Sequence, residues 1–445
     1  MLVKSKNEIV FVCSNCGNEF NKWQGQCPAC GEWNSLKEAP KVQNTKSGKS
    51  GGGQNGITKI KVINLGDISF EDNNSNSYIS TNIREFDRVL GKGVVRGSLI
   101  LLAGEPGVGK STLVTQAAIN LMTDKKVLYV DGEETASQVA LRVRRLGGKQ
   151  EKIEVLETNN IDDLEAMEQR VKDVYDLVLV DSVQVMRAEG VSGLAGSPSQ
   201  IREVTLRLLK LAKSSGVAII LLGHVTKEGE IAGPKMLEHM VDVVLYFEGE
   251  KNTELRILQG TKNRFGAADE VGVFRMGEKG LVEMGGDKIN LTEDGEGVGS
   301  GVSIVMEGSR PMAIEVQALV TESFSPAPRR VFSGIDFNRG QILVAVTQKV
   351  LGVPLYKFDV VVAVAGGIRI SDTGADLAIV GAIYSSYKNK PIGGGNRVAL
   401  VGEVSLLGGV KKVRNMEKRK SEARALGREL VEVTKIGEIK KFLAE

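Results

Sequence analysis

The sequence predicts an α/β protein in three parts: a small cysteine-bearing ribbon, a nucleotide-binding core on a mainly parallel sheet, and a mixed α+β C-terminal part. Three observations carry this expectation. All four cysteines fall between residues 13 and 30. The octapeptide GEPGVGKS, residues 104–111, sits between a strand-like and a helix-like run. From about residue 59 to 285, short apolar runs alternate with amphipathic segments, and beyond that the pattern changes.

Residues 1–36 form the ribbon. Cys13, Cys16, Cys27 and Cys30 follow the spacing C-x2-C-x10-C-x2-C, with Gly17 and Gly31 after the second cysteine of each pair. Two such pairs complete a tetrahedron of thiolates around one zinc ion, and the glycines let backbone amides turn toward sulfur. With four protein ligands the site is closed, hence structural, and so small a segment depends on its metal to fold. Two disulfides or a redox pair are the competing readings, and both fit poorly in a chain with no other cysteine. Trp23 and Trp33 either pack over the metal knuckles or stack on bases or a partner. Residues 37–58, rich in Gly, Ser, Lys and Asn, read as a flexible linker.

Residues 59–285 read as the core. SLILLAG, KVLYVDG, LVLVDS and VAIILLGH suit strands buried on both faces of a parallel sheet. STLVTQAAINLM, TASQVALRVRRLG and SQIREVTLRLLKLAKSSG place apolar residues three and four apart, as amphipathic helices do. The motif G-x4-G-K-S therefore has the strand–loop–helix context it requires. Gly104, Glu105, Pro106, Gly107, Val108 and Gly109 are expected to curl their amides around phosphate, Lys110 to reach the β- and γ-phosphates of ATP, and Ser111 to give a hydroxyl to Mg2+. Thr112 is placed to touch the α-phosphate. Asp181 ends a neighbouring strand, where a carboxylate helps hold Mg2+. Glu133 and Glu134 follow another strand tip. Either can take a proton from the attacking water, and Glu133 is favoured. His224 ends a fourth strand and is either a γ-phosphate sensor or an ordinary strand-end residue. Lys262 and Arg264 of TKNRFG sit two apart near a strand end, facing one way if both lie on the strand. They are a solvated turn or two cations aimed at an anion.

The 445 residues are 42% hydrophobic and 25% charged, an ordinary globular composition. A net charge of +3 leaves any nucleic-acid contact to local patches. No apolar run approaches the roughly 18 residues of a membrane span, and the N-terminus lacks a signal-peptide pattern. The expected location is the cytoplasm.

STNIREFDRVLGKGVVRGSLILLAGEPGVGKSTL, the DGEE and LVLVDS strand ends and KNRFG together resemble the RecA-like ATPase core. With the four-cysteine ribbon, the chain resembles the bacterial RadA (Sms) recombination and repair family over nearly its whole length. The resemblance implies a hexameric ring moving on single-stranded and branched recombination DNA, with RecA as a partner. It also implies nucleotide between subunits, with Lys262 and Arg264 completing a neighbour's site as an arginine finger does. The implied DNA loops follow the Asp181 and His224 strands and carry Arg187, Arg202, Lys227 and Lys235. They are equally readable as surface loops.

From 286 to 445, and most clearly in IRISDTGADLAIVGAI and NRVALVGEVSLLGGVKKVRNMEKRKSEARALG, the chain resembles the Lon protease domain. That family's Ser–Lys dyad has its serine three residues after an aspartate. From Asp372 this position is Ala375, and the lysine position falls near Glu417. Without a hydroxyl there is no nucleophile, so the domain is expected to be a scaffold without peptidase activity. Lys388, Lys390, Arg397, Lys411, Lys412 and Arg414 are either DNA contacts or a solvated basic face. The resulting expectation is a DNA-dependent ATPase promoting branch migration. The alternatives are an ATP-dependent protease and a nucleotide-gated repair scaffold.

Overall fold

The structure is a computed structural model that describes residues 9–13, 18–28, 31–40, 77–121, 125–149, 153–224, 234–249, 254–284, 290–291, 297–393 and 397–443. Cys16, Cys30, Lys227 and most of the expected linker lie outside these residues, as does the side chain of Lys235.

The N-terminal ribbon is a three-stranded antiparallel sheet of β1 (Ile9–Cys13), β2 (Glu19–Phe20) and β3 (Leu36–Pro40), with β1 central. Its third strand runs to Pro40 because LKEAP pairs along all of β1. Residues 37–40 thus belong to the ribbon and not to the linker expected from residue 37.

In the core, β4 (Tyr78–Ile79) and β5 (Val94–Val95) pair beside α1 (Arg84–Leu90). The elements β6 (Leu99–Gly104), α2 (Lys110–Asn120), β7 (Val127–Asp131), α3 (Ala136–Arg145), β8 (Ile153–Glu157), α4 (Ile161–Ala166), α5 (Glu168–Val174), β9 (Leu177–Asp181), α6 (Pro198–Ser215) and β10 (Ala218–His224) follow. Then α7 (Pro234–Glu238) leads to β11 (Val243–Glu248), β12 (Leu255–Asn263), β13 (Val271–Gly277) and β14 (Gly280–Glu283). The nine-stranded sheet has the order β14-β13-β12-β11-β6-β10-β9-β7-β8. The six strands from β11 to β8 are parallel, and β12 to β14 are antiparallel.

Strands β6, β7 and β9 are buried at every position, as their unbroken apolar runs require. Phe86, Leu113 and Val139 cover one face of the sheet, and Ile161, Val171 and Leu208 cover the other. Helix α3 starts at a capping box, in which the Thr135 side chain and Gln138 exchange hydrogen bonds. Helix α6 has Pro198 in its first turn and ends at Gly216 in the left-handed region.

The C-terminal part contains β15 (Asn290–Leu291), β16 (Ser300–Glu307), β17 (Arg310–Glu322), β18 (Arg330–Ser333), α8 (Phe337–Leu351), β19 (Phe358–Val364), α9 (Asp376–Lys388), β20 (Val398–Leu400), β21 (Glu403–Val404), β22 (Val410–Lys411), α10 (Met416–Ala425) and β23 (Glu429–Val431). Strand β17 is the axis of a five-stranded sheet. The C-terminal hydrophobic core includes Leu343, Val360, Leu377 and Ile379 and extends to Val271 and Val273 of β13. The two bodies therefore share one apolar interior. At its border Arg310 of β17 forms an ion pair with Glu85 of α1, and both side chains are buried. Glu85 also accepts a hydrogen bond from the Val273 amide at 2.9 Å.

Removing one partner of a buried ion pair strands the other charge. Arg310→Met should therefore lower stability by about 3–5 kcal/mol, while the double substitution Glu85→Leu/Arg310→Met should recover part of that loss. Calorimetric unfolding of the three proteins checks this. A single variant as stable as wild type would show that the pair does not join the two bodies.

Candidate nucleotide site

The site forms where parallel strands end together. Register pairs His224 with Gly104 and Asp131 with Asp181, so four strand tips share one edge of the sheet. In an open α/β sheet, that carboxyl edge is where ligands bind. Gly107 and Gly109 have φ of +80° and +113°, so the loop curls at these glycines before α2 begins at Lys110. Arg256 of β12 donates to the Val108 carbonyl at 3.0 Å and ties the loop to the sheet.

Lys110 is buried. Its Nζ donates to the carbonyls of Gly104 at 2.8 Å and Glu105 at 3.0 Å, and lies 3.0 Å from His224 Nδ1. Burial pulls its pKa down to about 8, against the opposing pull of Asp181 and Glu133. A buried lysine at the start of the helix that follows a glycine loop, with no ion pair to a carboxylate among the described residues, fits the phosphates of ATP. His224 is also shifted down, first by burial and then by the Lys110 charge. Donation from Lys110 to Nδ1 assigns the ring proton to Nε2, which lies 3.7 Å from Glu133 Oε1.

The two glutamates diverge. Glu133 Oε1 accepts from Ser182 Oγ at 2.5 Å and faces the Lys110–His224 pair. Glu134 turns away to an ion pair with Arg142. Arg142 also donates to the Tyr129 hydroxyl at 2.9 Å, and that hydroxyl donates to Asp181 Oδ2 at 3.0 Å. Asp181 is thereby oriented from behind, at the carboxyl edge of the sheet. At the strand tip, Asp131 Oδ1 accepts from the amides of Glu133 at 2.9 Å and Glu134 at 2.7 Å, while its buried Oδ2 has no hydrogen-bond partner among the described residues. Burial raises the Asp131 pKa to about 6, against the lowering effect of those two amides. Sequence reasoning passed over Arg142, Tyr129, Asp131, Ser182 and Arg256. A signal existed for Arg142, which lies three residues after the buried Val139 on the inward stripe of α3.

Lys262 and Arg264 are elsewhere. Strand β12 ends at Asn263, and its pairing with β11 is irregular between Val244 and Leu245, which oppose Lys262 and Gly260 and leave Thr261 as the extra residue. Arg264 follows the strand end, and its amide donates to Asp242 O at 3.2 Å. Lys262 aligns through Val244 with Leu101, three positions before Gly104 and two strands away. That offset is about 10 Å along the strands and about 10 Å across them. The pair therefore lies well removed from the phosphate loop of the same chain. Lys262 Nζ donates to the Glu238 carbonyl at 2.6 Å, and Arg264 lies 3.6 Å from Asp242. Burial and then the Arg264 charge lower the Lys262 pKa.

In the ribbon, Cys13 and Cys27 are buried at the starts of tight turns. Their amides donate to Asn18 O at 3.0 Å and Glu32 O at 2.8 Å, and Gly31 has a φ of +75°. Buried sulfur atoms at two such turns fit a metal held with Cys16 and Cys30. Trp23 and Trp33 are 56% and 67% exposed, and both rings approach Gly25, so they do not pack away in a core. Arg187 and Arg202 are exposed near the glycine loop after β9, as are Lys388, Lys390, Arg397, Lys411, Lys412 and Arg414 in the C-terminal part. Ala375 is buried, and Glu417 is exposed. The α10 side chain that reaches Asp372 is Arg419, at 2.7 Å.

Together these features define a P-loop nucleotide-binding protein with a rubredoxin-like ribbon. Residues 77–230 match the AAA domain family, and residues 11–38 match the rubredoxin metal binding domain. The chain is 42% identical over 426 residues to DNA repair protein RadA of Streptococcus pyogenes, covering 95% of this chain and 92% of that one. The proteins of that name from Listeria monocytogenes and Bacillus subtilis are 41% and 40% identical, each over 92% of its length. The chain belongs to the RadA family of DNA repair proteins.

The sign of the Asp131 shift gives a pH test. A carboxyl raised to about 6 in the fold binds protons that the unfolded chain has released, so ionisation penalises the fold as pH rises from about 4 to 6. Asp131→Asn retains an acceptor for both amides and should stabilise the nucleotide-free protein by on the order of 1–3 kcal/mol at pH 8, with no gain near pH 4. Thermal unfolding at both pH values checks this. An equal gain at pH 4 would refute it.

Proposed function

We propose that the chain is a DNA-dependent ATPase of recombinational repair. It translocates on single-stranded DNA and promotes branch migration and processing of recombination intermediates. It works as a cytoplasmic hexameric ring, with RecA as a partner. The observation that carries this reading is the distance within one subunit between the phosphate loop and the Lys262–Arg264 pair. A site whose cations come from a neighbour links each hydrolysis to the geometry of a ring, an arrangement that suits a motor on DNA.

In this reading Gly104 to Ser111 hold the phosphates, Thr112 contacts the α-phosphate, and Lys110 leaves its carbonyl partners for the β- and γ-phosphates. Ser111 and Asp181 would hold Mg2+, which would supply positive charge against the phosphates. Glu133 Oε1 takes the proton of the attacking water, and Ser182 Oγ holds that carboxylate in place. His224 lies between Lys110 and Glu133, where it registers whether the γ-phosphate has left. Lys262 and Arg264 of the adjacent subunit stabilise the transferring phosphoryl group. The cysteine ribbon holds structural Zn2+. Arg187, Arg202 and the basic C-terminal residues touch the DNA backbone, which needs charge but no sequence reading.

Residues 286–445 act as a Lon-like scaffold. Ala375 supplies no nucleophile, and Arg419 occupies the space beside Asp372 and Gly374. Casein should stay intact in the presence of ATP.

The test is ATP turnover with and without single-stranded DNA, on wild type and Lys262→Ala. DNA should accelerate the wild type, and Lys262→Ala should lose about 10³-fold or more, as arginine-finger losses do. Turnover indifferent to DNA would remove the motor reading.

A further inference from the structure

The loop bearing Arg264 is closed at a neck. The Asp269 amide donates to Gly260 O, and the Gly260 amide donates to Glu270 O, both at 3.0 Å. The chain from Thr261 through the end of β12 at Asn263 to Asp269 is therefore closed off beside Gly260 before β13 begins. Asp269 occupies that point with a φ of +81°, left-handed backbone that a non-glycine residue adopts at a cost. Such a conformation persists where its surroundings impose it.

The surroundings here belong to the C-terminal part. The turn between β16 and β17, residues 307–310, reaches the neck. The Ser309 amide donates to Asp269 O at 2.9 Å. Gly308 has a φ of +54°, and a Cβ on it would overlap Asp269 O. The next residue, Arg310, is anchored by its buried ion pair with Glu85. The hairpin thus seats its backbone directly on the strained carbonyl and is itself pinned at one end.

We propose that this hairpin, through Gly308 and Ser309, is the positioning element of the Lys262–Arg264 loop. The C-terminal part then sets the rate of ATP turnover at the neighbouring subunit's site without touching nucleotide. The inference rests on the trans assignment proposed above.

Gly308→Ala in the full chain tests it. Displacing the loop by about 1 Å should lower kcat by about 10²-fold. KM and the affinity for a fluorescent ATP analogue should not change, because the phosphate loop is intact. Rings mixed from Gly308→Ala and Lys110→Ala subunits should regain turnover, because some interfaces join an intact phosphate loop to an intact basic loop. A parallel mixture of Arg264→Ala and Lys110→Ala tests the trans assignment alone. Recovery in the Arg264 mixture but not in the Gly308 mixture overturns the hairpin's role. Recovery in neither overturns the trans assignment and the inference with it. Asp269→Val strains the same neck without altering the hairpin and carries the same expectations, so a Gly308→Ala chain that fails to fold leaves the test intact.

Discussion

The structure depends on the register of buried parallel strands. Strands β6, β7 and β9 carry no charged side chain until their C-terminal ends, and each then ends on or just before residues of the nucleotide site. Burial on both faces makes a slip of even one residue costly, because a polar tip would enter the core. The same force that aligns the core therefore aligns Gly104, Asp131, Asp181 and His224. The site is a by-product of sheet packing, and its precision comes from the sheet.

That edge concentrates acidic groups, and the structure separates them by giving each a different environment. Asp181 is oriented by Tyr129 with Arg142 behind it. Glu134 is paired with Arg142, and Glu133 is left facing the Lys110–His224 pair. Asp131 is buried and raised toward neutrality, with two amides as its counterweight. One guanidinium thus holds one of two adjacent glutamates and leaves the other facing the lysine and histidine. The sequence DGEE alone leaves that choice open.

What could be read from the sequence was local. Apolar runs gave the strands, the three-and-four spacing gave the helices, and G-x4-G-K-S gave the phosphate loop. All three are set within a few residues by backbone sterics and burial. Interactions between distant segments could not be read this way. Arg142 and Arg419 look like surface arginines in charged helices, yet each lies on an inward stripe, beside Val139 and beside Glu422 and Ala423. Glu85 and Arg310 are separated by 225 residues, and nothing near either one announces its partner. The irregularity where β12 pairs with β11 was also hidden, because an extra residue opposite Val244 and Leu245 is defined by the partner strand and leaves no mark in the sequence of β12 itself.

The charge pair at the domain border has a consequence beyond stability. Replacing both partners of a buried ion pair with apolar side chains is often neutral or favourable, so bulk cohesion is weak grounds for such a pair. Val271 and Val273 already bind the two bodies through shared apolar packing. What an ion pair adds is direction, since Glu85 accepts from both Val273 N and Arg310 and so fixes β17 to β13 in one orientation. Apolar contacts tolerate sliding, whereas this arrangement does not. A turn set one residue from that anchor can therefore hold a strained carbonyl in place, which a hydrophobic border alone would do poorly.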